Sequence, residues 1–313
     1  AVLLCQLLPR RRVNLPAHAL LKLSELTSPS GRSAYTSLLD GLDRTTLSVG
    51  MTTERKELSV IVPTYNEYEN IRELCTRLFK ATKEAGLTAE LLVVDDESKG
   101  TVATNEIVED LKKTYPIRIH VRSKAEGRGL SSAVLLGFSK AKYETLLCMD
   151  ADLQHEPESV PSVAKPVLSG EAEFSVGSRN VPGGGVAAWA LHRKIISAGA
   201  TALAYPLSGS TDPMSGFFCT TKTVLKRGEG RINPIGFKIG LELMVRCECK
   251  SVADVPITFQ DRVAGESKLT TKQNFLYLMQ LAGLYLDRHP LKSSLLLLLV
   301  ALLCTLIVSY LFY

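Results

Sequence analysis

Between Glu57 and Ser178, short apolar runs alternate with stretches in which apolar residues recur at steps of three and four. Leu58–Val62 is the first run and stops at Pro63; Ile71, Leu74, Cys75, Leu78 and Phe79 then fall at helical spacing, and Gly86 closes that stretch. An apolar run bounded by a breaker reads as a buried strand, and the step of three and four as an amphipathic helix. The pattern repeats. Leu91–Val94 precedes a helix through Ile107, Val108 and Leu111 that Pro116 is expected to end. Ile117–Val121 precedes a helix over Leu130–Ala141, Thr145–Met149 is a fourth strand, and Phe174–Val176 a fifth. Alternation of this kind predicts an α/β fold, a mostly parallel sheet with helices on both faces.

Such sheets bind ligands at the carboxyl ends of their strands. The polar residues fall there: Pro63–Glu67 after the first strand, Asp95-Asp96 after the second, Arg122, Lys124, Gly127 and Gly129 after the third, Asp150-Ala151-Asp152 after the fourth, Gly177-Ser178-Arg179 after the fifth. Five successive tips of this composition are hard to explain as solvated surface. Asp150 and Asp152 can both reach a hard divalent cation, and Gln154 adds a carbonyl oxygen. Mg2+ takes few protein carboxylates and completes its shell with water and substrate phosphates, so a diphosphate-bearing substrate is the natural partner. A turn with solvated carboxylates is the plainer reading of that pair. Asp95 and Asp96 can accept hydrogen bonds from a ribose or base, or cap a helix. Pro63–Asn70 contains no glycine, which excludes a dinucleotide-binding fingerprint.

The net charge of +5 suits anionic membranes and phosphorylated substrates. With aromatics at 6% and no basic stripe interleaved with them, no nucleic-acid partner is expected. The seven cysteines are scattered, and Cys247 and Cys249 stand too close for the usual zinc or thioredoxin spacing, so reduced cytosolic thiols are expected.

Ser293–Tyr313 holds 21 residues without a charge, nine of them Leu. A helix of that length spans roughly 30 Å, the thickness of a bilayer core. Arg288 and Lys292 flank its N-terminal side, which predicts a tail-anchored chain with everything before Ser293 in the cytosol. Residues 291–313 are therefore expected to be a transmembrane helix. Over 270–290 a broad apolar surface with few charges reads either as an amphipathic helix lying on the membrane or as a core helix. Residues 1–50 lie outside the βα pattern and precede the first methionine, Met51. They read as an over-extended gene model or a remnant of a targeting sequence, leaving 51–269 as the catalytic domain.

The segments VIVPTYNE, VVDD, MDADLQHEP and GSR resemble the inverting nucleotide-sugar transferases of glycosyltransferase family 2, of GT-A fold. Arg193–Ser197, Asp212–Phe218 (DPMSGFF) and Pro256–Leu269 (PITFQDRVAGESKL) narrow the resemblance to the dolichol-phosphate mannosyltransferases, over about Leu58 to Leu269. With its C-terminal apolar segment the chain is similar to their one-polypeptide form, for which no obligatory subunit is expected. Two departures stand out. The second acidic motif reads Asp95-Asp96-Glu97-Ser98-Lys99-Gly100-Thr101, one residue short and without a third Asp. Arg128 also stands where the family's Gly-Leu-Gly carries Leu.

The resemblance implies transfer of mannose from GDP-mannose to dolichyl phosphate with inversion, at the cytosolic face of the endoplasmic reticulum membrane, for glycoprotein and GPI-anchor synthesis. By resemblance, Pro63, Tyr65, Glu67, Asp95 and Asp96 hold the nucleoside, with Ala151 and the loop residues Lys124 and Gly127 beside them. Asp150, Asp152 and Gln154 hold Mg2+ or Mn2+. Arg179, Arg193 and Ser197 meet the lipid phosphate, and Arg262 and Lys268 lie on an acceptor loop. Transfer of glucose from UDP-glucose is a rival with the same chemistry. A membrane-tethered nucleotide-sugar binding protein without turnover is a rival of another class, against which the paired carboxylates and clustered arginines stand.

Overall fold

The computed structural model describes residues 55–186, 191–260 and 271–291, apart from the side chains of 124, 191–195, 271 and 272. The expectations for 1–50 and for the apolar segment 293–313 lie outside the described residues. In chain order the elements are β1 (Glu57–Thr64), α1 (Tyr68–Glu84), β2 (Thr88–Asp95), α2 (Thr101–Leu111), β3 (Ile117–Val121), α3 (Leu130–Lys140), β4 (Thr145–Cys148), α4 (Val160–Leu168), β5 (Phe174–Ser178) and β6 (Gly185–Val186). They continue with α5 (Leu191–Ser208), β7 (Phe218–Thr221), α6 (Lys222–Lys226), α7 (Ile239–Arg246), β8 (Val252–Pro256), β9 (Thr258–Phe259) and α8 (Thr271–Arg288).

The main sheet has seven strands in the order β3-β2-β1-β4-β7-β5-β8. All neighbours pair in parallel except β7, which runs antiparallel to both β4 and β5. The expected α/β sheet is therefore present, with β7 and β8 added to what the apolar runs announce. β6 and β9 form a separate two-stranded ribbon. The helix through Ile107 and Val108 ends at Leu111, several residues before Pro116: Lys112 caps it and a turn carries the chain to β3.

Alternation of side chains along each strand divides the core in two. Leu58, Val60 and Val62 of β1 face Ile71, Leu74 and Leu78 of α1 and Val163 and Val167 of α4. Ile61 of β1, with Leu92 and Val94 of β2, faces Val134 and Phe138 of α3 and Leu243 of α7. Both faces are covered, so the strands read as unbroken apolar runs rather than as alternating ones.

A third cluster lies between α5, α7 and α8, made of Ala204, Leu207, Leu241, Val245, Tyr277, Leu281 and Leu284. Polar bonds reinforce it. Tyr277 donates its hydroxyl to the Ala200 carbonyl at 2.7 Å, Tyr285 to that of Leu203 at 2.8 Å, and Arg246 pairs with Asp287 at 2.7 Å. One face of α8 is thus core. Its other face is apolar and open: Phe275, Leu278 and Met279 are each more than half exposed, as are Ile196 and Leu203 on α5.

Helix α3 sits unusually close to the sheet. A Cβ at Gly137 would lie 2.5 Å from Ile61 Cγ2 and 3.1 Å from Val94 Cγ2. Gly137→Ala is expected to destabilise the protein by about 1–3 kcal/mol through overpacking, in spite of alanine's better helix propensity. Chemical denaturation checks this; an unchanged midpoint would mean that Ile61 moves aside at no cost.

Candidate active site

The parallel strands end along one edge, and there the backbone leaves ordinary conformations three times. Asn66 after β1, Glu97 after β2 and Leu153 after β4 have φ of 60, 52 and 59°. Non-glycine residues enter this left-handed region at a cost, and they concentrate where a loop must be aimed. Side-chain bonds hold two of the turns. Asn66 Oδ1 accepts the Gly100 N–H at 2.9 Å, and the Asn66 N–H donates to Ser98 Oγ at 3.0 Å.

The tips enclose a cavity of about 650 Å3. Pro63, Tyr65, Glu67, Asp96, Asp150, Ala151, Asp152, Gln154, Arg179 and Ser197 all stand on its wall, so most of the residues singled out in the sequence are brought together. Arg193 falls on α5, the helix that carries Ser197, while Arg262 and Lys268 lie outside the described residues. Gly127 sits at φ 85° in the turn between β3 and α3, next to the short 3-10 helix that begins at Lys124, and is not among the cavity-lining residues described.

The two adjacent aspartates after β2 separate. Asp95 has no exposed surface. Its Oδ2 accepts the Thr64 hydroxyl at 3.0 Å, while Oδ1 accepts the Glu97 N–H at 3.0 Å and the Thr101 hydroxyl. Asp95 lies behind the wall and holds Thr64, which lines the cavity. Asp96 does face the cavity, but its carboxylate is bound to Arg122, and its Oδ2 accepts the Gly129 N–H at 2.8 Å. Arg122 looked like a charged tip. It is 1% exposed and fully satisfied by Asp96, by Ser132 Oγ at 2.8 Å and by the Gly129 carbonyl at 3.0 Å.

Arg179 is likewise held by a buried carboxylate. Its Nε and Nη2 each donate to Asp212 at 2.7 Å, and its backbone N–H adds a third bond at 3.0 Å. Asp212 is fully buried. The Nε–Nη2 edge of the guanidinium is occupied by this carboxylate, the pair is neutral overall, and Arg179 still stands on the cavity wall.

Asp150 and Asp152 leave β4 toward the cavity, Asp150 with 36% of its side chain exposed and Asp152 largely buried. Across from them runs the segment that leads into β7. A Cβ at Gly216 would lie 3.1 Å from Asp150 Oδ2, so the absence of a side chain there keeps the carboxylate approachable. Gln154 is tied down by donating Nε2 to the Gln260 carbonyl at 3.0 Å.

Sequence reading missed several wall residues. His155 is buried between the rings of Phe217 and Phe259, each 5.1 Å away, and burial pushes its imidazole down to about 4. The neutral ring accepts the Asp150 N–H at Nδ1, 3.4 Å away, which places the ring proton on Nε2. Its position within MDADLQHEP was the available signal. Lys238, at the start of α7, donates Nζ to the Met214 carbonyl at 2.7 Å and lies 4.4 Å from the centre of the Phe237 ring. Burial, followed by repulsion from Arg179, pushes its ammonium down to about 8, opposed by attraction to Asp150 and Asp212. Gln273, Asn274 and Tyr277 of α8 complete the described wall, and among the described residues the buried Oε1 of Gln273 has no hydrogen-bond partner.

Residues 59–228 match the family model described as glycosyl transferase family 2. The chain belongs to that family. It is 45% identical to the dolichol-phosphate mannosyltransferase of Mycosarcoma maydis over 244 residues, 75% of this chain and 81% of that protein. It is 44% identical to the dolichol-phosphate mannosyltransferase of Saccharomyces cerevisiae over 238 residues, 73% of this chain and 87% of that protein. Among solved structures, glucosyl-3-phosphoglycerate synthase from Mycobacterium tuberculosis in complex with Mn2+, uridine diphosphate and phosphoglyceric acid aligns with a TM-score of 0.52 at 19% identity, covering 78% of this chain and 81% of that one. As a glycosyl transferase of family 2, the chain is an enzyme of GT-A fold, and its cavity lies where such sheets bind their ligands.

Breaking the Arg122–Asp96 pair leaves a buried carboxylate uncompensated. Arg122→Met is expected to destabilise the fold by about 3–5 kcal/mol. A loss below about 1 kcal/mol in urea unfolding would mean that water or another cation takes the place of the guanidinium.

Proposed function

We infer that this enzyme transfers mannose from GDP-mannose to dolichyl phosphate with inversion, on the cytosolic side of the endoplasmic reticulum membrane. The observation that carries the reading is the 44–45% identity to two dolichol-phosphate mannosyltransferases over about three quarters of the chain, across the segments that build the cavity.

The nucleoside lies against the β1 tip, where Pro63, Thr64, Tyr65 and Glu67 form one side of the cavity. Asp96 keeps the neighbouring turn in place through Arg122 and Gly129. Asp150 and Asp152, with the side-chain carbonyl of Gln154, offer the all-oxygen donor set that suits Mg2+ or Mn2+, and the missing side chain at Gly216 leaves room for an ion. Bound there, a divalent ion supplies positive charge against the departing diphosphate. His155 is a positioning residue: its ring accepts from the Asp150 backbone and thereby sets the angle at which that carboxylate leaves β4.

The acceptor is a phosphate monoester. Its second pKa is about 6, so it is largely dianionic at neutral pH and already nucleophilic. No side chain is needed to take a proton from it. Asp212, the buried carboxylate nearest to Arg179, is held by that guanidinium and is not a candidate base. Arg179 in turn orients rather than supplying net positive charge, which leaves the acceptor phosphate to Arg193, Ser197 and the loop that carries Arg262 and Lys268. The exposed apolar faces of α5 and α8 fit a membrane surface, and the uncharged segment 293–313 fits a span.

Detergent-solubilised protein incubated with polyprenyl phosphate and a panel of nucleotide sugars tests this directly. Mass spectrometry is expected to find mannosylated lipid phosphate from GDP-mannose alone. A glucosylated lipid from UDP-glucose, or donor binding without any product, would replace the reading with one of its rivals.

Asp150→Asn and Asp152→Asn each remove one carboxylate while preserving size. Each is expected to lower kcat at least ~100-fold, the scale on which single electrostatic groups act in such sites. Gly216→Ala should weaken metal-dependent GDP binding with little change in melting temperature. Near-normal turnover of either Asn variant at saturating Mg2+ would remove that residue from the metal site.

A further inference from the structure

Three cationic side chains stand on the described cavity wall: Arg128, Arg179 and Lys238. Arg128 pairs with Glu97 at 2.8 Å and Arg179 with Asp212 at 2.7 Å. Lys238 differs from both. Among the described residues it makes no ion pair with a carboxylate; its bonding partners are the Met214 carbonyl and the ring of Phe237. An ammonium half-withdrawn from water on a cavity wall is left with charge to satisfy when its protein partners are a neutral carbonyl and a ring face. It nevertheless lies among charged groups of the site, attracted by Asp150 and Asp212 and repelled by Arg179.

The segment leading into β7 explains how this arises. Asp212 binds Arg179, the Met214 carbonyl accepts from Lys238, and Gly216 lies beside the Asp150 carboxylate. One short stretch of backbone thus gathers a neutralised arginine, a lysine without a carboxylate partner and the approachable aspartate around the same space. With Arg179 neutralised, Lys238 is the described wall's source of positive charge on that side of the cavity.

We propose that Lys238 is a phosphate-binding residue of the transfer site, its ammonium taking an oxyanion of either the donor's diphosphate or the acceptor's phosphomonoester. This rests on the transferase reading above. The rival explanation is purely structural, with Lys238 serving only to hold the Met214 carbonyl.

The full chain in detergent separates these possibilities. Lys238→Gln keeps an N–H donor for Met214 but loses the charge; Lys238→Arg keeps the charge. Lys238→Gln is expected to lower kcat/KM about 10- to 100-fold, the usual range for losing a charge-assisted bond. Lys238→Arg should recover part of that loss, and melting temperatures should stay close to wild type. Weaker binding of GDP with Mg2+ assigns the donor diphosphate, and a raised KM for dolichyl phosphate at unchanged GDP affinity assigns the acceptor. Kinetics within about twofold of wild type in Lys238→Gln would overturn the proposal.

Should Lys238→Gln fail to fold, acylation of lysines in the wild-type protein decides. GDP with Mg2+, inorganic pyrophosphate or a short polyprenyl phosphate should slow modification of Lys238 relative to an exposed lysine such as Lys83. If none of the three protects it, the proposal falls. Absence of mannosyl transfer by the wild type would instead fail the transferase reading, and the protection experiment would still report on Lys238.

Discussion

A guanidinium with almost no exposed surface sits where β2, β3 and α3 meet, and the edge of the sheet that forms the site is organised around it. Arg122 cannot stay charged in that position without partners. It obtains them from a carboxylate at the end of β2, a hydroxyl on α3 and a carbonyl at the start of that helix. The partners lie at the end of β2 and at the start of α3, and Arg122 itself follows β3, so satisfying one buried charge fixes three strand and helix ends against each other. Asp95 performs a similar service one residue earlier, joining the β1 tip to the start of α2 through Thr64 and Thr101. This side of the cavity is held by buried polar groups that have no acceptable alternative arrangement.

The opposite side of the cavity is built by a different device. Strand β7 runs against its neighbours, so the residues that precede it, rather than those that follow, arrive at the carboxyl edge of the sheet. That reversal puts Asp212 next to Arg179 and Gly216 next to Asp150. It also changes the charge of the site. An arginine that alone would attract phosphate is neutralised, and among the described residues a lysine remote in sequence stands on that wall without a carboxylate partner.

Much of this was legible beforehand, and what was not has identifiable physical reasons. Strands β1, β2 and β4 showed because burial makes them largely apolar, β3 and β5 through shorter apolar cores, and their tips showed because charged residues after such runs are conspicuous. The helix over Tyr68–Glu84 and its stop at Gly86, with φ 67°, followed from spacing. β7 and β8 were hidden by polar residues that the fold buries or pairs: Thr220 of β7 donates to the Glu173 carbonyl, and Asp254 of β8 accepts from Ser210 and Thr211. Asp95 and Asp96 look alike in sequence, yet successive residues point to opposite sides, and only one of them reaches the cavity. The fates of Arg122 and Arg179 were unreadable because each depends on a carboxylate 26 or 33 positions away. Lys238 gave no signal at all, since it follows no strand and adjoins no acidic motif.

Helix α8 carries polar cavity residues near its start and an apolar open stripe along its outer side, while its inner side is bonded to α5 and α7. A single rigid rod therefore belongs to two surfaces at once. Anything that grips the outer stripe and shifts the rod must also move Asn274 and Tyr277 in the cavity wall. Thermodynamic reciprocity then requires the converse: a ligand whose affinity depends on the position of that wall will alter, by the same factor, how tightly the outer stripe is held. Wherever a ligand on the stripe shifts the rod, filling of the cavity and occupancy of the apolar face are linked equilibria.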